Sequence, residues 1–117
     1  MVRTNAMGGG VRLISTMHQW ETIYEAAPPG KLIVVCFPAS WCGPCKRIFP
    51  EIVQLAAKNP DVWFVKIDVD VSRGEIEACS TVKSLPSFAL IRDHKQVFAM
   101  KGAHLKQLKK KVKEHGC

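Results

Sequence analysis

A five-residue motif, Trp41-Cys42-Gly43-Pro44-Cys45, follows a continuous apolar run at residues 32–37 and precedes a helical pattern that begins with Lys46. The apolar run is typical of a strand covered on both faces, so the motif stands at a strand-to-helix junction. Two cysteines with this spacing can close a small disulfide, and Cys42 is predicted at the helix N-terminus. The unpaired N–H groups there stabilise a thiolate over a thiol. We therefore predict that Cys42 is a reactive thiol able to attack disulfides.

The spacing of the two cysteines is shared with zinc half-sites, which need two further ligands. The remaining cysteines, Cys36, Cys79 and Cys117, form no second Cys-x-x-Cys, and no two of the four histidines have the spacing of zinc ligands. No metal site is therefore predicted. A structural disulfide is the other alternative, but Gly43-Pro44 between the cysteines, with proline at an early helical position, favours a redox motif.

Three further features place the motif in a wider pattern. Pro50 falls inside the helix after the motif, where a proline removes one backbone hydrogen bond and bends the axis. Leu85-Pro86-Ser87 and Gly102-Ala103 follow further along the chain. With these features residues 11–114 resemble the thioredoxin family, which has a kinking proline, an aliphatic residue before a cis-proline, and a glycine-alanine pair at the corresponding places.

Hydrophobic periodicity predicts alternating strands and helices. Strands are predicted at 11–14, 32–37, 62–67, 88–91 and 96–100, and helices at 16–26, 42–58, 72–79 and from 105 onward. Thr16 with Gln19, and Ser72 with Glu75, supply capping boxes for two of the helices. The order βαβαβαββα predicts an α/β fold, a mixed central β-sheet flanked by helices on both faces, as in the thioredoxin fold. A site is expected at the carboxyl end of strand 32–37, where the motif lies.

Length and composition indicate a single domain, because 117 residues with 47% hydrophobic residues suffice for one core. We assign residues 1–10 to a flexible N-terminal extension and residues 11–117 to a thioredoxin domain. The extension lacks the apolar centre of a secretory signal; a short transit peptide is the alternative, although the amphipathic pattern is poor. No apolar stretch approaches the ~20 residues of a membrane span. An odd number of cysteines favours a reducing compartment, and the cytoplasm is the predicted location.

The resemblance implies a two-step thiol–disulfide exchange. Cys42 attacks a target disulfide, and Cys45, one helical turn on and less exposed, resolves the mixed disulfide. Electrons come from NADPH through a separate thioredoxin reductase, and no bound cofactor is implied. The target-binding surface implied by the resemblance consists of Trp41, Gly43, Pro44, Leu85, Pro86, Gly102 and Ala103. The alternatives are ordinary core packing for Trp41 and a plain trans turn for Pro86.

The chain departs from the family's pattern beside the motif. The family usually has a buried aspartate six residues before the first motif cysteine, where it assists proton transfer in the resolving step; this chain has Cys36. Lys66 aligns with the lysine that accompanies that aspartate in some members. Pro38 stands where many members carry an aromatic residue. We interpret Cys36 as a buried small apolar residue in preference to a redox-active thiol.

The net charge of +7 is concentrated in the last helix, which contains one acid, Glu114. The lysines there are Lys106, Lys109, Lys110, Lys111 and Lys113. No aromatic residue lies among them to stack bases, so a solvated face is favoured over nucleic-acid binding. A preference for acidic target proteins is the milder functional interpretation. A monomer is expected, and the terminal Cys117 offers an intermolecular disulfide.

The sequence thus favours a protein disulfide reductase over two alternatives. Oxidases and isomerases of this type usually have a histidine between the cysteines, where this chain has Gly43-Pro44. A thioredoxin-like binding module gated by its redox state is a third hypothesis, against which the intact cysteine pair argues.

Overall fold

The computed structural model describes residues 10–72, 76, 79 and 82–116. Strands form at β1 (Val11–Ile14), β2 (Leu32–Phe37), β3 (Trp63–Ile67), β4 (Ser87–Arg92) and β5 (Lys95–Lys101). Helices form at α1 (Met17–Ala26), α2 (Gly43–Lys58), α3 (Val69–Ser72) and α4 (Leu105–His115). The predicted order of strands and helices is confirmed apart from the helix at 72–79, of which only residues 72, 76 and 79 are described. The predicted extension, apart from Gly10, and Cys117 lie outside the described residues.

The five strands form one mixed sheet in the order β1-β3-β2-β4-β5. β1, β3 and β2 are parallel because α1 and α2 cross over between them, whereas β4 and β5 are antiparallel to their neighbours. The central strand β2 is buried along its whole length, as expected for a continuous apolar run. From the carboxyl end of β2 the chain passes directly into the loop that carries the motif.

Helices cover both faces of the sheet, as predicted. On one face Ile52 of α2 and Leu108 of α4 belong to the same buried cluster as Phe64. On the other face Ile23 of α1 belongs to a second cluster with Val35. No helix among the described residues has the length and apolar character needed to cross a membrane.

Two predicted capping boxes have different outcomes. At α1 the box is present: Gln19 N–H donates to Thr16 Oγ1 at 3.1 Å, and Thr16 N–H donates to Gln19 Oε1 at 3.1 Å. The second box, predicted for a helix at 72–79, is not formed at the N–H of Ser72, which donates to the carbonyl of Asp68 at 3.0 Å at the end of α3. The Ser72 carbonyl accepts from Ile76 N–H at 2.8 Å, so a helix-type hydrogen bond does start at Ser72. Its predicted partner, Glu75, lies outside the described residues.

The predicted hairpin forms between β4 and β5 although its sequence lacks an Asn-Gly or Asp-Gly turn. Asp93 and His94 occupy the turn with φ of 52° and 63°, the left-handed region that non-glycine residues adopt at a cost of ~1–2 kcal/mol each. Long-range contacts hold this conformation. Gly30 N–H donates to Asp93 Oδ1 at 2.8 Å, and the rings of Tyr24 and His94 stack at 4.5 Å.

Candidate active site

Cys42 is the N-cap residue of α2, which confirms its predicted position at the start of that helix. Its Sγ accepts a hydrogen bond from the backbone N–H of Cys45 at 3.2 Å. Pro44 lies in the first turn, where its missing N–H leaves no helical hydrogen bond unmade. The sulfur of Cys42 therefore faces the positive end of the α2 dipole, where a negative charge is stabilised.

A disulfide joins Cys42 to Cys45, with a Cα–Cα distance of 5.3 Å. The exposed fractions of the two residues are 5% and 4%, so both are buried in this oxidised form and differ little in exposure. Among the residues that the structure describes, no group of three or more His, Cys, Asp or Glu side chains is placed to hold a metal ion.

Trp41 lies on the surface next to the disulfide, with 68% of the residue exposed. The alternative of ordinary core packing for this residue is therefore wrong. The indole Nε1 donates a hydrogen bond to Asp70 Oδ2 at 2.5 Å, which fixes the direction of the ring. The apolar face of the tryptophan is thus available beside Cys42.

The segment containing Pro86 reaches the same end of the sheet. Phe37, the last residue of β2, pairs with Ser87, and Ser87 pairs in turn with Lys101. Pro86, just before β4, and Gly102, just after β5, therefore lie at neighbouring strand ends. Gly102 N–H donates to the carbonyl of Pro86 at 2.7 Å. The Leu85–Pro86 peptide bond is cis, as the resemblance implied.

Gly102 has a conformational reason to be glycine. Its φ is +92°, and a Cβ built there would lie 3.0 Å from His104 Nε2. Ala103, next in the chain, is exposed. Leu85 is half-buried and packs against the cluster that contains Cys42 and Cys45. The predicted surface residues therefore gather at the carboxyl end of β2.

A cleft of ≈490 Å³ lies behind Cys45, between α2 and the ends of β2 and β3. Its lining residues are Cys36, Pro38, Ala39, Ser40, Cys45, Lys46, Ile48, Phe49, Pro50, Lys66 and Asp68. Cys36 is 5% exposed, and burial raises the pKa of its thiol to about 12, which the charge of Lys66 opposes only in part. Cys36 therefore keeps its proton at neutral pH.

Lys66 stands beside Cys36 in the parallel pairing of β2 with β3. Its Nζ lies 4.3 Å from the centroid of the Phe49 ring on α2. A cation over an aromatic face gains ~0.5–2 kcal/mol, depending on how far it is desolvated. In this chain the lysine thus stacks on α2 at the place where some members of the family have a lysine–aspartate pair.

Two acidic residues of the site were missed in the sequence. Asp68 lines the cleft, and Asp70 holds the indole of Trp41. Both follow β3, the parallel neighbour of β2, and residues at the carboxyl ends of adjacent parallel strands meet at one edge of the sheet. That rule would have placed the Asp-Val-Asp sequence after β3 at this edge of the sheet, but not the contact that each acid makes.

Comparisons with known proteins agree with this geometry. The family model for thioredoxin matches residues 13–114. A thioredoxin H-type protein of Populus jackii is 39% identical over 106 residues, which span 90% of this chain and 76% of the relative. Among solved structures, thioredoxin NaTrxh of Nicotiana alata superposes with a TM-score of 0.87 at 34% identity, over 98% of this chain and 100% of that one.

A second solved structure gives the same result. The thioredoxin of Fasciola hepatica has a TM-score of 0.79 at 38% identity and covers 88% of this chain and 97% of its own. The match spans the sheet, the helices and the cysteine pair at the start of α2. With its disulfide at that helix terminus and its fold shared along most of its length, the chain belongs to the thioredoxin family of thiol–disulfide oxidoreductases.

Proposed function

We propose that the chain is a protein disulfide reductase in which Cys42 attacks and Cys45 resolves. The observation that carries this proposal is the position of the Cys42 sulfur, which accepts the Cys45 N–H at the N-terminus of α2. A thiolate there attacks one sulfur of the target disulfide and forms a mixed disulfide, while the other target sulfur leaves as a thiolate and takes a proton from solvent. Cys45 then attacks Cys42 and releases the reduced target.

The target binds on the apolar surface around Cys42, formed by Trp41, Gly43, Pro44, Leu85, Pro86, Gly102 and Ala103. Support comes from the exposure of Trp41 and from the Gly102–Pro86 hydrogen bond, which sets the two strand ends side by side. An extended target segment pairs its backbone with that of Leu85, adding a short strand at this edge.

The disulfide left on Cys42 and Cys45 is reduced by a separate NADPH-dependent thioredoxin reductase, so the chain itself needs no bound cofactor. We place this cycle in the cytoplasm, where target disulfides are reduced rather than formed. The chain works as a monomer, and Cys117 offers a route to an intermolecular disulfide.

Acidic proteins are the preferred targets. On α4, Leu108 and Val112 face the core, while Lys106, Lys109 and Lys110 are exposed. The single acid of the helix, Glu114, accepts a hydrogen bond from Lys111 Nζ at 3.0 Å, so it offsets little of the remaining charge. A helix face with mostly positive charge raises the association rate of negatively charged partners, and salt lowers that rate.

Reduction of insulin disulfides with NADPH and a thioredoxin reductase tests the proposal. We expect NADPH oxidation and insulin precipitation with the wild type and neither with Cys42→Ser. Cys79→Ser is the matched control, because this thiol is also buried but stands outside the Trp41–Cys45 motif and its disulfide. Equal activity of Cys42→Ser and the wild type would contradict the assignment.

A further inference from the structure

The cleft behind Cys45 contains a carboxylate at a different place from the family's buried aspartate. Cys36 occupies that family position and pairs with Lys66 across β2 and β3. The pairing extends one step further, since Val69 N–H donates to the carbonyl of Pro38 at 2.9 Å. Alternate residues of a strand share a face, so Asp68 lies on the same side of the sheet as Lys66.

The side chain of Asp68 is held at this position by its own turn. Asp68 Oδ1 accepts a hydrogen bond from Asp70 N–H at 2.9 Å, and the Asp68 carbonyl accepts from Ser72 N–H at 3.0 Å. Asp68 is only half-buried, whereas Cys36 is almost fully buried. Water can therefore reach the carboxylate through the cleft that Cys45 also lines.

Cys36 cannot serve as the proton acceptor in its place. Its thiol keeps its proton because burial outweighs the charge of Lys66. Among the described residues that line the cleft, the other groups that carry charge are Lys46 on α2 and Lys66 on β3, and both are cations that do not accept a proton when charged. Asp68 is the acidic side chain in this described part of the lining.

We propose that Asp68 accepts, through water in the cleft, the proton that Cys45 loses in the resolving step. The Cys45 S–H proton passes by way of water to the carboxylate, and the thiolate attacks Cys42 Sγ. The Cys42–Cys45 bond forms, the bond from Cys42 to the target sulfur breaks, and the target leaves as a thiolate that takes up a proton. This proposal rests on the two-step exchange proposed above.

The experiment follows the two steps separately. Reduced protein in excess is mixed with a dipyridyl disulfide, which is uncharged and releases one coloured thione in each step. The first phase depends on protein concentration and the second does not. Rates are measured over a range of pH for the wild type, Asp68→Asn and Asp61→Asn. Asp61 precedes β3 at its other end, so its substitution makes the same charge change away from the cleft.

We expect Asp68→Asn to slow the second phase by at least roughly tenfold, which is near or below the smallest rate effect usual for a general base. The first phase should stay unchanged. The second phase of Asp68→Asn should depend more steeply on pH, because Cys45 must then lose its proton to solvent, whereas a structural role would lower the rate without changing its pH profile. Asp68→Glu should restore part of the rate. Cys36→Asp added to Asp68→Asn should restore it too, because it puts a carboxylate on the same cleft. Asp61→Asn should match the wild type.

The proposal is overturned if Asp68→Asn resolves at the wild-type rate, or if both phases slow together with an unchanged pH profile. A slowed second phase in Cys36→Ala with none in Asp68→Asn would assign the step to Cys36 instead. Failure of the two-step exchange proposed above would give a different result, because the wild type itself would then release only one thione. A first phase at the wild-type rate in each variant shows that the environment of Cys42 at the start of α2 is intact.

Discussion

Cys42 and Cys36 are the same residue type six positions apart, and the structure gives them opposite chemistry. Cys42 follows β2 and caps α2, where its sulfur meets the Cys45 N–H at 3.2 Å. Cys36 lies within β2, flanked by Lys66 on β3 and Phe88 on β4. The backbone N–H groups beside Cys36 are used in the sheet, whereas those at the start of α2 are available to a sulfur anion.

The contrast shows that a nearby cation does not by itself make a thiol reactive. Lys66 lowers the pKa of Cys36, but desolvation raises it by more, and the balance is a pKa of about 12. At Cys42 the stabilising partners are backbone dipoles that the fold already holds in place. The position of a thiol at the start of a helix therefore affects its reactivity more than the presence of a nearby cation does.

The largest expected effect is a complete loss of turnover in Cys45→Ser. Cys42 still forms the mixed disulfide, but the protonated thiol of Cys36 cannot resolve it, so the adduct accumulates. Mass spectrometry of the protein after a single addition of target measures the adduct, and the reductase-coupled assay measures turnover. The double variant Cys36→Ala/Cys45→Ser should behave identically. Turnover that survives in Cys45→Ser and disappears in the double variant would make the two thiols equivalent.

A second large effect concerns alkylation of the reduced protein. At pH 7 a thiol with a pKa of about 12 is ionised to about 10⁻⁵, against ~3% for an ordinary cysteine. We expect iodoacetamide to label Cys42 at least about a thousandfold faster than Cys36. Peptide mapping at successive times measures both rates, and a denatured sample supplies the reference. Comparable labelling of the two residues in the folded protein would contradict the contrast.

The elements around the two thiols could be predicted from local sequence. The apolar run of β2, the capping box of α1 and the proline in the first turn of α2 each determine a boundary within a few residues. Ser72 shows the limit of this approach. Ser-x-x-Glu matches a capping box, but Asp68 lies closer to the end of β3, and its carbonyl receives the Ser72 N–H first.

Contacts between distant segments could not be predicted. The hairpin turn at Asp93 and His94 depends on Gly30 and Tyr24, more than sixty residues earlier. The hydrogen bond from Trp41 to Asp70 likewise joins the ends of two strands. Such pairs have no spacing signal in a single sequence, because the sheet order that brings them together is itself a tertiary result.

The buried thiol should also make stability depend on pH. Its pKa in the folded state is raised from 9.0 to about 12, so the native state keeps a proton that the unfolded chain loses. The free energy of unfolding therefore falls as pH rises above 9.0, by about 1–2 kcal/mol between roughly pH 8 and 10.5. Urea unfolding of the oxidised protein, in which Cys42 and Cys45 do not titrate, measures this slope.

Cys36→Ala isolates the contribution, because lysines and the tyrosine titrate in both proteins. The difference in unfolding free energy between wild type and variant should shrink by the same amount over this pH range. A difference that stays constant would mean that Cys36 ionises in the folded protein as it does in the unfolded chain.

The smallest expected effect concerns the exposed surface beside Cys42, where Trp41 is hydrogen-bonded to Asp70. Trp41→Phe keeps an aromatic face and removes the N–H donor, and Asp70→Asn weakens the acceptor. A hydrogen bond of this kind contributes ~0.5–1.5 kcal/mol, so each variant should raise the KM for a protein target about two- to tenfold. Alkylation of Cys42 should stay unchanged, because the helix terminus is intact. The double variant should cost less than the sum of the single variants, since both remove one contact. Fully additive effects, or altered alkylation of Cys42, would show that the indole acts on the thiol itself rather than on the bound target.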